Sequence, residues 1–138
     1  MSPEEKTRLT AAARAYLGTP WLGQGRDKRG LDCTGLCVMT YRDAGFPVDE
    51  GPVDYRSVDA KRLMRTLEKH CRPVGPDENL EVGDIVVFRF PDAGHVAILI
   101  DGRNGLNAIH CPQFGEVVEA RFDPKRGTIK GFYRWQGE

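Results

Sequence analysis

Cys33 lies in the run Asp32-Cys33-Thr34-Gly35-Leu36, a setting that gives a thiol chemistry. Asp32 is a helix-capping type, and the following residues read as a helix to about Ala44, with Gly45 as the stop and Pro47 beyond. Cys33 therefore falls at a helix N-terminus, where the backbone N–H groups and the helix dipole favour a thiolate, the nucleophilic form. The same N–H groups can receive an oxyanion after attack on a carbonyl. Gly35 is expected to leave room for substrate to approach the backbone. The alternative for any single cysteine is a small buried core residue. Cys37, one turn further in between Leu36 and Val38, suits that alternative better.

A nucleophilic thiol needs a base within hydrogen-bond reach and a third group to orient the base. The chain has three histidines. His95 opens an apolar strand, Val96-Ala97-Ile98-Leu99-Ile100, and His110 ends the next, Leu106-Asn107-Ala108-Ile109. Adjacent antiparallel strands can bring two such imidazoles together, although a histidine taken singly is more often a satisfied structural residue. His70 follows a helix and precedes Pro73, and reads as a solvated charge at a helix C-terminus.

The elements that must position these groups divide in two. Ser2-Pro3-Glu4-Glu5 is a helix start, with Ser2 as cap and Glu5 closing a capping box. Leu9, Ala12, Ala13, Tyr16 and Leu17 recur at helical spacing before Gly18-Thr19-Pro20. A glycine-rich loop runs from Gly23 to Gly30, and a third helix is expected from Ser57 to about Glu68. The second half reads as strands at Asp84–Phe90, His95–Asp101, Leu106–Cys111, Glu116–Arg121 and Ile129–Trp135, with Pro91-Asp92-Ala93-Gly94 joining the first two. Helices first and an antiparallel sheet of about five strands second is an α+β order.

The 138 residues suit one domain with its own core, taken as 1–138. Lys plus Arg and Asp plus Glu each number 20, so the net charge is zero and an unspecific nucleic-acid binder is disfavoured. No apolar run approaches a membrane span, so membrane insertion is not expected. The polar start MSPEEKTRLT lacks the pattern of a signal peptide. Synthesis in a cytoplasm, with the four cysteines Cys33, Cys37, Cys71 and Cys111 as reduced thiols, is the corresponding expectation.

Leu17-Gly18-Thr19-Pro20-Trp21, Leu31-Asp32-Cys33-Thr34-Gly35-Leu36, Leu80-Glu81-Val82-Gly83-Asp84-Ile85-Val86-Val87-Phe88, His95-Val96-Ala97-Ile98 and Ile109-His110-Cys111 follow one another in this order. Together they resemble the NlpC-type cell-wall cysteine peptidases, which have a compact papain-like fold. The resemblance runs from Ala11 to Trp135 and implies Cys33 as nucleophile, His95 as general base and acid, and His110 as the residue orienting His95. It also implies a peptidoglycan stem-peptide amide as substrate, typically next to D-glutamate, and no cofactor. Gln24-Gly25-Arg26 and the ending Gly131-Phe132-Tyr133-Arg134-Trp135 resemble the peptidases encoded with tails of phages and gene-transfer agents. That subgroup implies tail proteins as partners and delivery to the wall in a virion-like particle. Trp21 stands where many members have Tyr, and Thr34 where many have Ser. Trp21, Gln24 and Tyr55 are candidates for lining the cleft, with packing or loop roles as the alternative.

Three other readings compete. Cys33, Cys37, His110 and Cys111 are possible zinc ligands, but paired Cys-x-x-Cys spacing is missing and His110 and Cys111 should point to opposite faces of a strand. A non-catalytic tail-structure protein could keep the fold without the reaction. An amidase, transferase or wall-degrading toxin could use the same site for another amide.

Overall fold

A computed structural model of the chain describes residues 1–55, 60–89, 95–125 and 128–137. Helix α1 spans Pro3–Arg14 and starts as its sequence requires: Ser2 accepts from the Glu5 N–H while Glu5 reaches back to the Ser2 N–H. The short strands β1 (Arg26–Asp27) and β2 (Gly30–Leu31) form a hairpin inside the glycine-rich loop. Helix α2, Cys33–Asp43, begins at its Asp32 cap and stops before Gly45, whose positive φ of 96° suits glycine. Helix α3 covers Ala60–His70. The expected start of that helix at Ser57, and the expected connection Pro91–Gly94, lie outside the described residues.

Among the described residues the main sheet has six strands, one beyond the five that the sequence marks. They are β3 (Cys71–Pro73), β4 (Ile85–Phe88), β5 (His95–Gly102), β6 (Gly105–His110), β7 (Val118–Arg121) and β8 (Ile129–Trp135). All pairings are antiparallel, in the order β3-β8-β4-β5-β6-β7. The additional strand, β3, is three residues at the edge and has no room to show an alternating pattern. β4 through β7 form a meander, and β8 enters between β3 and β4.

Strand alternation divides the core. Ile85, Val87, Val96, Ile98 and Ile100 face α1 and α2, where Leu9, Leu36, Cys37 and Tyr41 meet them. Val86, Ala97, Leu99 and Ala108 form a second cluster with Phe122 and Phe132. Because β5 is covered on both faces, Val96–Ile100 is one unbroken apolar run, the pattern of a fully buried strand. Trp135 of β8 ties the sheet to the helices: its ring stacks on His70 at 5.1 Å and on Tyr41 at 5.4 Å, with Phe46 edge-on.

That contact overturns the expectation of a solvated His70. The side chain is buried, and Nε2 accepts the Asp49 N–H at 2.9 Å. A polar residue at a helix end reads as exposed until the late strand that covers it is in place. No helix among the described residues is long and apolar enough to cross a membrane.

Candidate active site

Asp32 carries the local architecture. Its carboxylate is buried, which requires its lone pairs to be filled. Oδ1 accepts the Gly35 N–H at 2.7 Å, the helix cap, and Arg26 Nη1 at 3.0 Å. Oδ2 accepts the Gln24 N–H at 2.9 Å and the Tyr55 hydroxyl. Gln24 adopts a left-handed φ of 66° to aim that N–H, and its side-chain amide donates to the Tyr55 carbonyl.

The glycines here serve packing. A Cβ on Gly35 would stand 2.2 Å from the Gly25 carbonyl oxygen and 2.7 Å from Arg26 Nη1. Gly35 therefore lets the first turn of α2 press against the 25–26 loop, which corrects the expectation that it makes room for substrate. Gly25 similarly admits the Gly30 carbonyl, closing the loop on itself.

Behind Asp32 lies a set of residues with little sequence signal. Arg26 donates through Nε to Glu50 Oε1 at 2.9 Å and through Nη2 to Oε2 at 2.6 Å. Arg62 of α3 reaches the same carboxylate at 3.1 Å. The Tyr55 ring lies against both guanidinium groups, at 5.7 Å from Arg26 and 4.9 Å from Arg62. Burial acts to raise the Glu50 pKa, but the Arg26 and Arg62 contacts outweigh it and hold the group below its usual value. Glu50 and Arg62 fall in polar stretches that read as loop and exposed helix face. Only the spacing of partners in three dimensions reveals them.

Cys33 is the first residue of α2 and is 4% exposed. Burial pushes its thiol up to about 11; the Val96 N–H opposes this and the Asp32 charge adds to it. Burial of Cys33 thus works against the thiolate that its place at a helix start favours. The Val96 N–H contact also places the sulfur at the start of β5. Cys37 is buried and its thiol is raised well above the usual value, chiefly by burial, as suits a core residue.

The β5–β6 register pairs Ile98 with Ile109, which sets His110 beside Ala97 and diagonal to His95 on one face. His95 Nε2 and His110 Nδ1 are 3.0 Å apart, with the rings nearly perpendicular. Cys111 points the other way and donates its thiol to the Leu31 carbonyl at 3.2 Å, the opposition of faces expected for neighbours in a strand.

The remaining sequence candidates separate. Tyr55 and Gln24 brace Asp32. Trp21 donates its backbone N–H to the Gly115 carbonyl at 2.8 Å, and its half-buried ring meets Phe114 edge-on at 5.0 Å. Phe114 is 81% exposed and holds a left-handed φ of 63°, so Trp21 and Phe114 form an aromatic ledge. Phe114 was hidden in a Pro-Gln-Phe-Gly segment that reads as a turn.

Residues 18–122 match the NlpC/P60 family, a span that contains Cys33, His95 and His110. The chain belongs to the NlpC/P60 family. It is 26% identical over 114 residues to a protein of Mycobacterium bovis named a probable endopeptidase, covering 83% of this chain and 25% of that one. The chain thus spans about a quarter of the length of this curated relative. Among solved structures, the peptidoglycan hydrolase RipB of Mycobacterium tuberculosis superimposes with a TM-score of 0.65 at 19% identity, over 98% of this chain and 66% of that one. RipD of the same organism, described as a non-catalytic NlpC/p60 domain protein adapted to peptidoglycan binding, gives 0.61 at 15% identity over 94% and 95%. The NlpC/P60 fold therefore accounts for the whole α+β arrangement.

Proposed function

We propose that the protein is a cysteine peptidase that hydrolyses an amide bond in peptidoglycan stem peptides, next to D-glutamate. The observation that carries this reading is the Cys33 sulfur held at the start of β5 while His95, the first residue of that strand, is bonded to His110. Membership of NlpC/P60, together with relatives named as an endopeptidase and a peptidoglycan hydrolase, supports the substrate class.

The site's own residues supply each step. His95 takes the thiol proton as sulfur attacks the carbonyl carbon, and the S–C bond forms. Backbone N–H groups in the first turn of α2 stabilise the oxyanion. The C–N bond then breaks, with the departing nitrogen protonated by His95, leaving a thioester on Cys33. Water gives a proton to His95 and adds to the thioester; the C–S bond breaks and the thiol is restored.

A binding role without turnover is the second reading, favoured by the similarity to RipD and by the deep burial of Cys33. Delivery by a phage-like tail to the wall, with tail proteins as partners, is part of the first proposal. It rests on the resemblance of the 24–26 and 131–135 segments. Digestion of purified sacculi followed by mass analysis tests the function. Fragments released by the wild type and missing with Cys33→Ala support it. Intact sacculi bound by both proteins favour the second reading, and fragments of another bond class assign a different amide reaction.

A further inference from the structure

We propose that Glu50 is a positioning residue for the nucleophile, acting on Cys33 through Arg26 and the helix cap Asp32. The proposal rests on the reading of Cys33 as the reacting thiol. Glu50 touches neither Asp32 nor α2 in any of the hydrogen bonds described above, yet its side chain has no exposure to solvent. A carboxylate so enclosed requires charged partners, and it has two: Arg26 with two bonds and Arg62 with one. Asp32 and Glu50 balance Arg26 and Arg62, so the group is neutral as a set.

The division of the Arg26 fork is what gives Glu50 its effect. Nε and Nη2 lie on the Glu50 carboxylate, which fixes the plane of the guanidinium. Nη1 is left to meet Asp32 Oδ1, the oxygen that also caps the Gly35 N–H. The orientation of Glu50 therefore helps to set where the cap stands, together with the Gly25 carbonyl and the Tyr55 hydroxyl that Arg26 also meets, and the cap sets how the first turn of α2, headed by Cys33, enters the site. Arg62 extends the same chain of contacts to α3. Attack on a carbonyl is sensitive to displacement: misplacing a group by about 1 Å can cost on the order of 10²-fold in rate.

A role limited to fastening α3 and the 50s segment would change stability and leave the folded enzyme's turnover alone. The test compares wild type with Glu50→Gln, which keeps shape and removes charge, and with Arg26→Lys, which keeps charge but cannot bridge Glu50 and Asp32 as a planar fork. Both are assayed at temperatures where melting curves show them folded. Expected are a kcat lowered by about 10-fold or more with KM unchanged, slower alkylation of Cys33 by iodoacetamide, and faster hydrogen exchange at the Gly35 and Gln24 amides, both of which donate to Asp32. A lower melting temperature with unchanged kcat, alkylation and exchange overturns the proposal. Failure of wild type itself to cut stem peptides counts against the peptidase reading only. In that event the alkylation and exchange measurements still decide the role of Glu50, and no change in either overturns it.

Discussion

His95 Nε2 and His110 Nδ1 stand 3.0 Å apart, so a single proton lies between two ring nitrogens and each imidazole sets the tautomer of the other. For His95 to accept the Cys33 proton at Nδ1, its own Nε2 must carry hydrogen and donate to His110. His110 then serves as an acceptor, with its hydrogen on Nε2.

This assignment orders the histidine variants. On the proposed mechanism His95→Ala removes the base and should lower kcat/KM by on the order of 10²–10⁴. His110→Ala should cost less, because a loosely held His95 still reaches the working orientation part of the time. His110→Asn or His110→Gln should recover some of that loss, since either amide oxygen can accept the His95 N–H. Steady-state kinetics on a stem-peptide substrate at one pH checks the series, and full activity in His95→Ala would sink the mechanism.

Desolvation gives Cys33 a titration that can be read directly. With its thiol pushed up to about 11, the group is protonated at neutral pH and gains thiolate as pH rises. The rate of Cys33 alkylation by iodoacetamide should therefore climb steadily from pH 6 to 10 with no plateau, about tenfold per unit. A plateau below pH 8 would show that thiolate is already formed at rest.

Gly35→Ala tests the close contact under the helix start. The added methyl would meet the Gly25 carbonyl oxygen at 2.2 Å, a backbone atom that cannot swing aside. We expect a loss of roughly 1–3 kcal/mol in unfolding free energy from this overpacking, with a fall in kcat as Cys33 shifts. Denaturant melts and kinetics measured together would reveal whether the turn instead yields without consequence.

His70→Ala should destabilise the fold by about 2 kcal/mol or more, through loss of a stacked ring and of the acceptor for the Asp49 N–H. Thermal unfolding measures it. A neutral outcome would mean that the ring makes no net contribution beneath Trp135.

Local signals in the chain were legible where short-range chemistry determines structure. Ser2 and Asp32 announce their helices by capping, and the run Val96–Ile100 announces a buried strand. The placement of Cys33 at a helix start and of His95 at a strand start was legible because each element has a clear pattern. Long-range pairings were not. The three residues of β3 become a strand only by lying against β8, and the burial of His70 depends on Trp135 far along the chain. Glu50 gives no hint of Arg26 until the loop brings them together, and Gly35 looks like an open approach until the Gly25 carbonyl is seen beneath it.

Insertion of β8 between β3 and β4 has a consequence for synthesis. On a ribosome, Cys33, His95 and His110 are all translated before this strand exists, while β3 and β4 wait without the neighbour that joins them. Trp135, which fastens both α2 and α3 to the sheet through Tyr41 and His70, leaves the exit tunnel later still. The sheet therefore closes only once β8 is available, through pairings of long sequence separation, the kind that slow folding. Between the addition of His110 and that of Trp135, the nascent chain carries Cys33, His95 and His110 without the completed scaffold that sets them against one another.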